Sequence, residues 1–111
     1  RVMEIHQITL SAENNSISIS PDPVSVAKGD VLSFTAKGAN FTVRFNNASI
    51  IMQDVEKADI VYKVASDGSP VETTPFDDII YENYSYQVEI IKDEIRAPSK
   101  MTVKAIITRN G

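Results

Sequence analysis

The chain contains one histidine, three methionines, no cysteine and no tryptophan, so few of its residues can do chemistry. His6 lies between Ile5 and Gln7. A general base needs one group to orient its ring and another to deprotonate, and neither neighbour supplies either. His6 therefore reads as a surface or bend residue. Together with Met3, Met52 and Met101 it would form a soft donor set for Cu(I). Methionine also fills cores well, and Met52 and Met101 are read that way. The absence of cysteine excludes disulfides, thiol catalysis, thiolate zinc sites and iron–sulfur clusters. No nucleophile–base pair and no cofactor motif is visible, so the chain is read as not an enzyme, with no cofactor and no assigned metal ligand.

Carboxylates gather in two places. Asp54, Glu56 and Asp59 form one group, and Asp77, Asp78 and Glu82 the other. Neither has the spacing of a helix–loop–helix calcium loop with its central glycine. Both read as solvated loops, with Asp77 and Asp78 the better pair for a structural calcium. A glycosidase would need two carboxylates across a cleft, which a sandwich this small is not expected to supply. The tyrosines are Tyr62, Tyr81, Tyr84 and Tyr86. Tyr84 and Tyr86 alternate with polar residues and read as one buried strand face. Tyr81 lies beside the acidic loop, where an aromatic ring could stack on a sugar. The candidate ligand-binding set is therefore Asp77, Asp78, Tyr81 and Glu82, within a loop over 66–83, and the candidate ligand is a carbohydrate. Asn-x-Ser/Thr sequons begin at Asn14, Asn40, Asn47 and Asn83. They mark glycan sites in a eukaryotic secreted chain and otherwise read as polar turns beside strands.

These residues must be positioned by a single domain spanning 1–111. A chain of 111 residues has a folded surface of roughly 6,000 Å² and buries about two-thirds of its unfolded area. Eleven basic residues face fifteen acidic ones, for a net charge of −4. No basic stripe is present, so no nucleic-acid partner is expected. Apolar runs such as Ile50-Ile51-Met52 and Ile79-Ile80-Tyr81 are far too short to span a bilayer, so no membrane insertion is expected. A first residue other than methionine is expected of a processed or trimmed chain. The expected setting is extracytoplasmic: secreted, periplasmic or at the cell surface.

Alternation with a period of two dominates, which predicts an all-β fold. In the first segment the apolar parity changes between Met3/Ile5 and Ile8/Leu10, which predicts a bulge or bend near His6-Gln7, as in a first strand that serves two sheets. Ile17 and Ile19 alternate with serines, and Pro21-Asp22-Pro23 breaks the ladder because proline has no N–H to donate. Further strands are read around Leu32–Ala36, Phe41–Phe45, Ile60–Val64, Tyr84–Ile90 and Met101–Ile107. Ile51, Val55 and Ala58 have helical spacing, so at most one short helix is expected near 49–58, capped by Ser49. Ser69 to Asp78 reads as a long loop. The count is about seven to nine short strands at turn spacings typical of a Greek-key β-sandwich. The expected core is Ile17, Ile19, Val26, Leu32, Phe34, Phe41, Val43, Phe45, Tyr62, Tyr86, Val88, Val103, Ala105 and Ile107.

The run Ile19-Ser20-Pro21-Asp22-Pro23-Val24-Ser25-Val26-Ala27-Lys28-Gly29-Asp30-Val31-Leu32-Ser33-Phe34 resembles the front half of a cupredoxin-like domain. In that family a valine-rich strand passes through a Gly-Asp turn into a strand ending at an aromatic. Asn40-Phe41-Thr42-Val43-Arg44-Phe45 resembles the strand bearing the family's first histidine ligand. Tyr84-Ser85-Tyr86-Gln87-Val88, Ala97-Pro98 and Met101-Thr102-Val103 resemble its closing hairpin. An immunoglobulin-like sandwich has a similar Pro-x-x-Val-x-Val-x-x-Gly-Asp run and stands as the alternative. The family's copper set does not carry over. The first histidine position falls at Phe41, the cysteine position falls near Val88, and Glu89 to Lys100 contains no histidine. The resemblance implies a scaffold only.

Three functions follow as expectations. The first is a non-catalytic structural or protein-interaction module, with a protein partner or self-association. The second is a carbohydrate or small-ligand module with a possible structural calcium. The third is an atypical copper-binding or degenerate electron-transfer domain.

Overall fold

A computed structural model describes residues 2–14, 16–56, 58–79, 82–91 and 100–110. Among the described residues are nine strands and one 3-10 turn. β1 (Ile5–Glu13) and β2 (Ser16–Ser20) form a hairpin, and β1 also pairs in parallel with β4 (Val31–Lys37). With β7 (Val71–Glu72) these strands make a sheet of order β2-β1-β4-β7. The second sheet has the order β3-β9-β8-β5-β6, from β3 (Val24–Val26), β5 (Phe41–Phe45), β6 (Ile60–Val64), β8 (Asn83–Ile91) and β9 (Lys100–Arg109). Both sheets mix parallel and antiparallel pairs. Pro21-Asp22-Pro23 lies where the chain leaves the first sheet after β2 and enters the second as β3. A residue pair without N–H groups cannot continue the β2 ladder, so the chain is released there.

The two sheets close on an apolar core. Alternation places Ile8 and Leu10 of β1 inward with their register partners Phe34 and Ala36 of β4. From the other sheet come Phe41, Val43, Phe45, Tyr86, Val88, Ala105 and Ile107. Phe45 is the aromatic hub. Its ring stacks on Tyr86 at 5.0 Å and meets Phe34, Tyr62, Phe76 and Tyr84 at 6.0–6.5 Å. Phe34 and Phe45 are both fully buried, as the strand phasing requires. Ile17 and Ile19 are only half-buried because β2 is an edge strand, and Tyr62 and Val103 are half-buried too.

Three local expectations are corrected. β1 has no bulge at His6-Gln7, because its register with β4 runs unbroken from Ile5↔Val31 to Ser11↔Lys37. Met3 and Ile5 are simply exposed, and His6 lies on the inward side with Ile8 and Leu10. The short helix near 49–58 is a 3-10 turn at Ala48–Ile50, entered from Asn47 in the left-handed region with no side-chain cap. Asp54 also has positive φ, which ends helical continuation, while Ile51 and Met52 drop into the core. Finally, the stretch read as a loop from Ser69 to Asp78 supplies β7 and the buried Phe76, which bridges to Met52. Asn14 and Asn47 hold left-handed turn positions. Asparagine tolerates these better than most residues, which gives both sequon positions a structural reason.

Candidate functional site

Two groups of polar residues lie on either side of the turn Ala27–Asp30. The turn is locked by backbone. Gly29 N donates to the Phe76 carbonyl and Phe76 N to the Asp30 carbonyl, each at 2.8 Å. Gly29 has φ +90°, a conformation that L side chains enter with strain. The turn thus fastens β3 and β4 to the segment that follows β7.

The first group is His6, Asp30 and Glu4. Parallel pairing of Ile5 with Val31 brings Glu4 alongside Asp30. The Glu4 N–H donates to Asp30 Oδ1 at 3.1 Å, and the Ala27 N–H donates to Oδ2 at 2.9 Å. His6 Nε2 stands 2.9 Å from the same Oδ2 and 3.8 Å from Glu4 Oε2. Asp30 is fully buried, the His6 side chain is 17% exposed and that of Glu4 is 61% exposed. The reading of His6 as a residue without an orienting partner is therefore corrected: the partner comes from 24 residues away. Among the described residues, these three alone bring three histidine or carboxylate donor atoms within 4.8 Å of one another.

The second group lines a cleft of about 370 Å³ at the end of the sandwich. Lys28, Asp77, Asp78, Arg109 and Asn110 supply its polar rim, and Val26 and Ile79 its buried apolar base. Lys28 Nζ lies 3.9 Å from Asp77 Oδ1 and 3.7 Å from Asp78 Oδ2. The Arg109 guanidinium donates to the Ile79 carbonyl at 3.4 Å, and Asn110 N donates to the Val26 carbonyl at 2.8 Å. Of the four expected ligand residues, Asp77 and Asp78 stand in this cleft. The Glu82 carbonyl accepts from Arg109 N at 3.1 Å, so that residue adjoins it. Tyr81 lies outside the described residues. Lys28, Arg109 and Asn110 were not singled out from sequence, because they come from the turn after β3 and from the end of β9, far along the chain from 77–82.

Among the described residues, the acidic pair of the calcium expectation is not joined by further carboxylates. Asp77 and Asp78 share a lysine ammonium rather than a third carboxylate, and calcium takes six to eight oxygens. Asp54, Glu56 and Asp59 surround a separate hollow of about 300 Å³ with Val55, Ile60 and Thr74. The soft copper set also disperses. Met52 is buried, Met101 packs against the core and Met3 is exposed.

The remaining tyrosines are core groups. Burial, reinforced by the negative charge of Asp59, pushes the Tyr84 phenol up to about 12. Burial and then Asp22 push Tyr86 up further, and burial raises Tyr62 against the opposing Thr74 hydrogen bond. Their rings face Phe45 and offer no platform to a sugar.

No protein-family model matches the chain, and no curated protein matches it.

Proposed function

We propose that the chain is a non-catalytic, extracytoplasmic recognition module on a cupredoxin-like sandwich without the copper set, and that it takes a carbohydrate at the Lys28–Asp78–Arg109 cleft. One observation carries this reading: residues from three separate segments converge there with mixed donors and acceptors over an apolar base. Two carboxylates accept, while lysine, arginine and asparagine donate. A patch with both signs suits a neutral, hydroxyl-rich ligand better than an anion or a cation. The volume falls at the low end of the roughly 300–1,000 Å³ range of small-ligand clefts, room for a single sugar unit and part of a neighbour. His6, by contrast, has only carboxylates at Nε2, which orient a ring but do not serve it as a nucleophile.

The test is binding to a panel of neutral oligosaccharides, followed by Asp78→Ala and Arg109→Ala. Each substitution should weaken a bound sugar by about tenfold or more, in line with about 1.5 kcal/mol for a lost hydrogen bond to a charged group. Unchanged affinity in both variants would remove the cleft as the site.

A second reading rests on β2. Among the described residues, this strand closes its sheet and pairs with β1 alone. Its Ser-Ile-Ser-Ile-Ser sequence carries neither lysine nor proline, the usual guards of an open edge. A protein partner or a second copy would add a strand there. That reading predicts a concentration-dependent dimer by sedimentation, dispersed by Ser18→Lys. A monomer at every concentration would limit it to a different partner.

A further inference from the structure

We infer that Glu4, His6 and Asp30 form a binding site for a divalent transition metal, with zinc the ion that fits best. Zinc holds nitrogen and oxygen ligands at about 2.0–2.1 Å in a tetrahedron, which sets ligand atoms about 3.3 Å apart. His6 Nε2 stands 2.9 Å from Asp30 Oδ2 and 3.8 Å from Glu4 Oε2, on either side of this edge, and all three donor atoms lie within 4.8 Å of one another. Small side-chain rotations, not a backbone rearrangement, would equalise them.

The donors are also held from behind. Asp30 Oδ2 accepts the Ala27 N–H and Oδ1 accepts the Glu4 N–H. Hydrogen bonds of this kind fix a ligating carboxylate in place. Glu4 and His6 are two apart on one extended segment, so they project to the same side, and Asp30 is delivered beside them by the parallel β1–β4 register. Exposure rises from the buried Asp30 through His6 to the exposed Glu4. The fourth position of the tetrahedron therefore opens towards Glu4 and solvent, where a water would complete it. The single imidazole with two carboxylates suits zinc or a neighbouring first-row ion. Calcium and magnesium, which prefer six or more oxygens, are disfavoured. On binding, Nε2 gives its lone pair to the metal, and the single proton of the neutral ring sits on Nδ1 rather than on Nε2.

His6 is the only histidine in the sequence, so its ring nitrogens give one unambiguous pair of NMR signals in a chain carrying no histidine tag. Zinc chloride titrated into that protein should give saturable one-to-one binding. The Nε2 resonance should move to the position of a metal-bound nitrogen, with Nδ1 protonated. Glu4→Gln removes a ligand from an exposed side chain without disturbing the core and should weaken binding at least about tenfold. His6→Ala should abolish it, and excess Ca²⁺ should not compete. Asp30→Asn is not the deciding variant, since that carboxylate also holds the turn. Absence of saturable binding at millimolar zinc overturns the inference. So does zinc binding that survives His6→Ala, which would place the ion elsewhere, and so does binding that leaves the Nε2 resonance unmoved.

Discussion

Asp30 ties three separate donors together. Its carboxylate gathers two backbone N–H groups and one imidazole, and it joins the start of β1 to the turn between β3 and β4. Asp30→Ala strands these donors in a protected place. Removing the acceptor from buried charge-assisted bonds costs about 3 kcal/mol, and urea unfolding should show that loss with an unchanged slope. Tyr86 is the opposite case. Its hydroxyl is buried with no hydrogen-bond partner among the described residues, so Tyr86→Phe removes a polar group that none of them satisfies. That variant should match or exceed the parent's stability, and a loss above about 2 kcal/mol would mean that the hydroxyl is in fact bonded. Core identity at this scale was legible because Phe34, Phe41, Val43 and Phe45 alternate with polar residues and fall inward together. The His6–Asp30 contact was not. It depends on a parallel register between segments 24 residues apart, and no local pattern encodes that.

At the scale of elements, strand periodicity predicted well and irregular segments predicted poorly. Ile51, Val55 and Ala58 carry helical spacing, yet Ile51 and Met52 are buried in succession and Ala58 is exposed. A pair of adjacent buried residues with a left-handed Asp54 behind them satisfies a tertiary socket, not a helix face. Likewise Phe76 sits among prolines and acids, which hid its burial. The turns offer a paired test. Gly38 has φ +81°, and a Cβ there would lie 2.6 Å from the Ala12 carbonyl oxygen of β1. Gly29 has φ +90° with open space around it. Gly29→Ala should therefore cost only the left-handed backbone penalty of about 1–2 kcal/mol. Gly38→Ala should cost clearly more, since a backbone carbonyl must also move. Equal costs in thermal unfolding would show that the β1–β4 end of the sheet yields without resistance.

The whole molecule is longer than a sphere of its size. Its extents are 45 × 24 × 23 Å with a Cα radius of gyration of 13.9 Å, against about 13 Å for a compact domain of this length. The surface of 6723 Å² likewise exceeds the roughly 6,000 Å² expected from size alone. Folding also couples the molecule to alkaline pH. Tyr84 is raised from 10.0 to about 12, and Tyr62 and Tyr86 are raised as well. A phenol whose folded value lies above its unfolded one stays protonated longer when folded. The unfolded chain then binds fewer protons between the two values, so stability falls as pH rises through that interval. The contribution is intact below pH 10 and is lost progressively towards pH 12 for Tyr84. The urea midpoint should drop between neutral pH and about pH 11, and Tyr84→Phe should lessen the drop. A midpoint that holds steady would contradict the burial of these phenols.

The central claim is that the end cleft is the recognition surface, and amide chemical-shift mapping with neutral oligosaccharides tests it most directly. Saturable shifts should centre on Ala27, Lys28, Asp77, Asp78 and Asn110, leaving the β2 edge and the Tyr84–Tyr86 face unmoved. Saturable shifts confined to β2 or spread across the sheet faces, or no shifts at millimolar ligand, would contradict it.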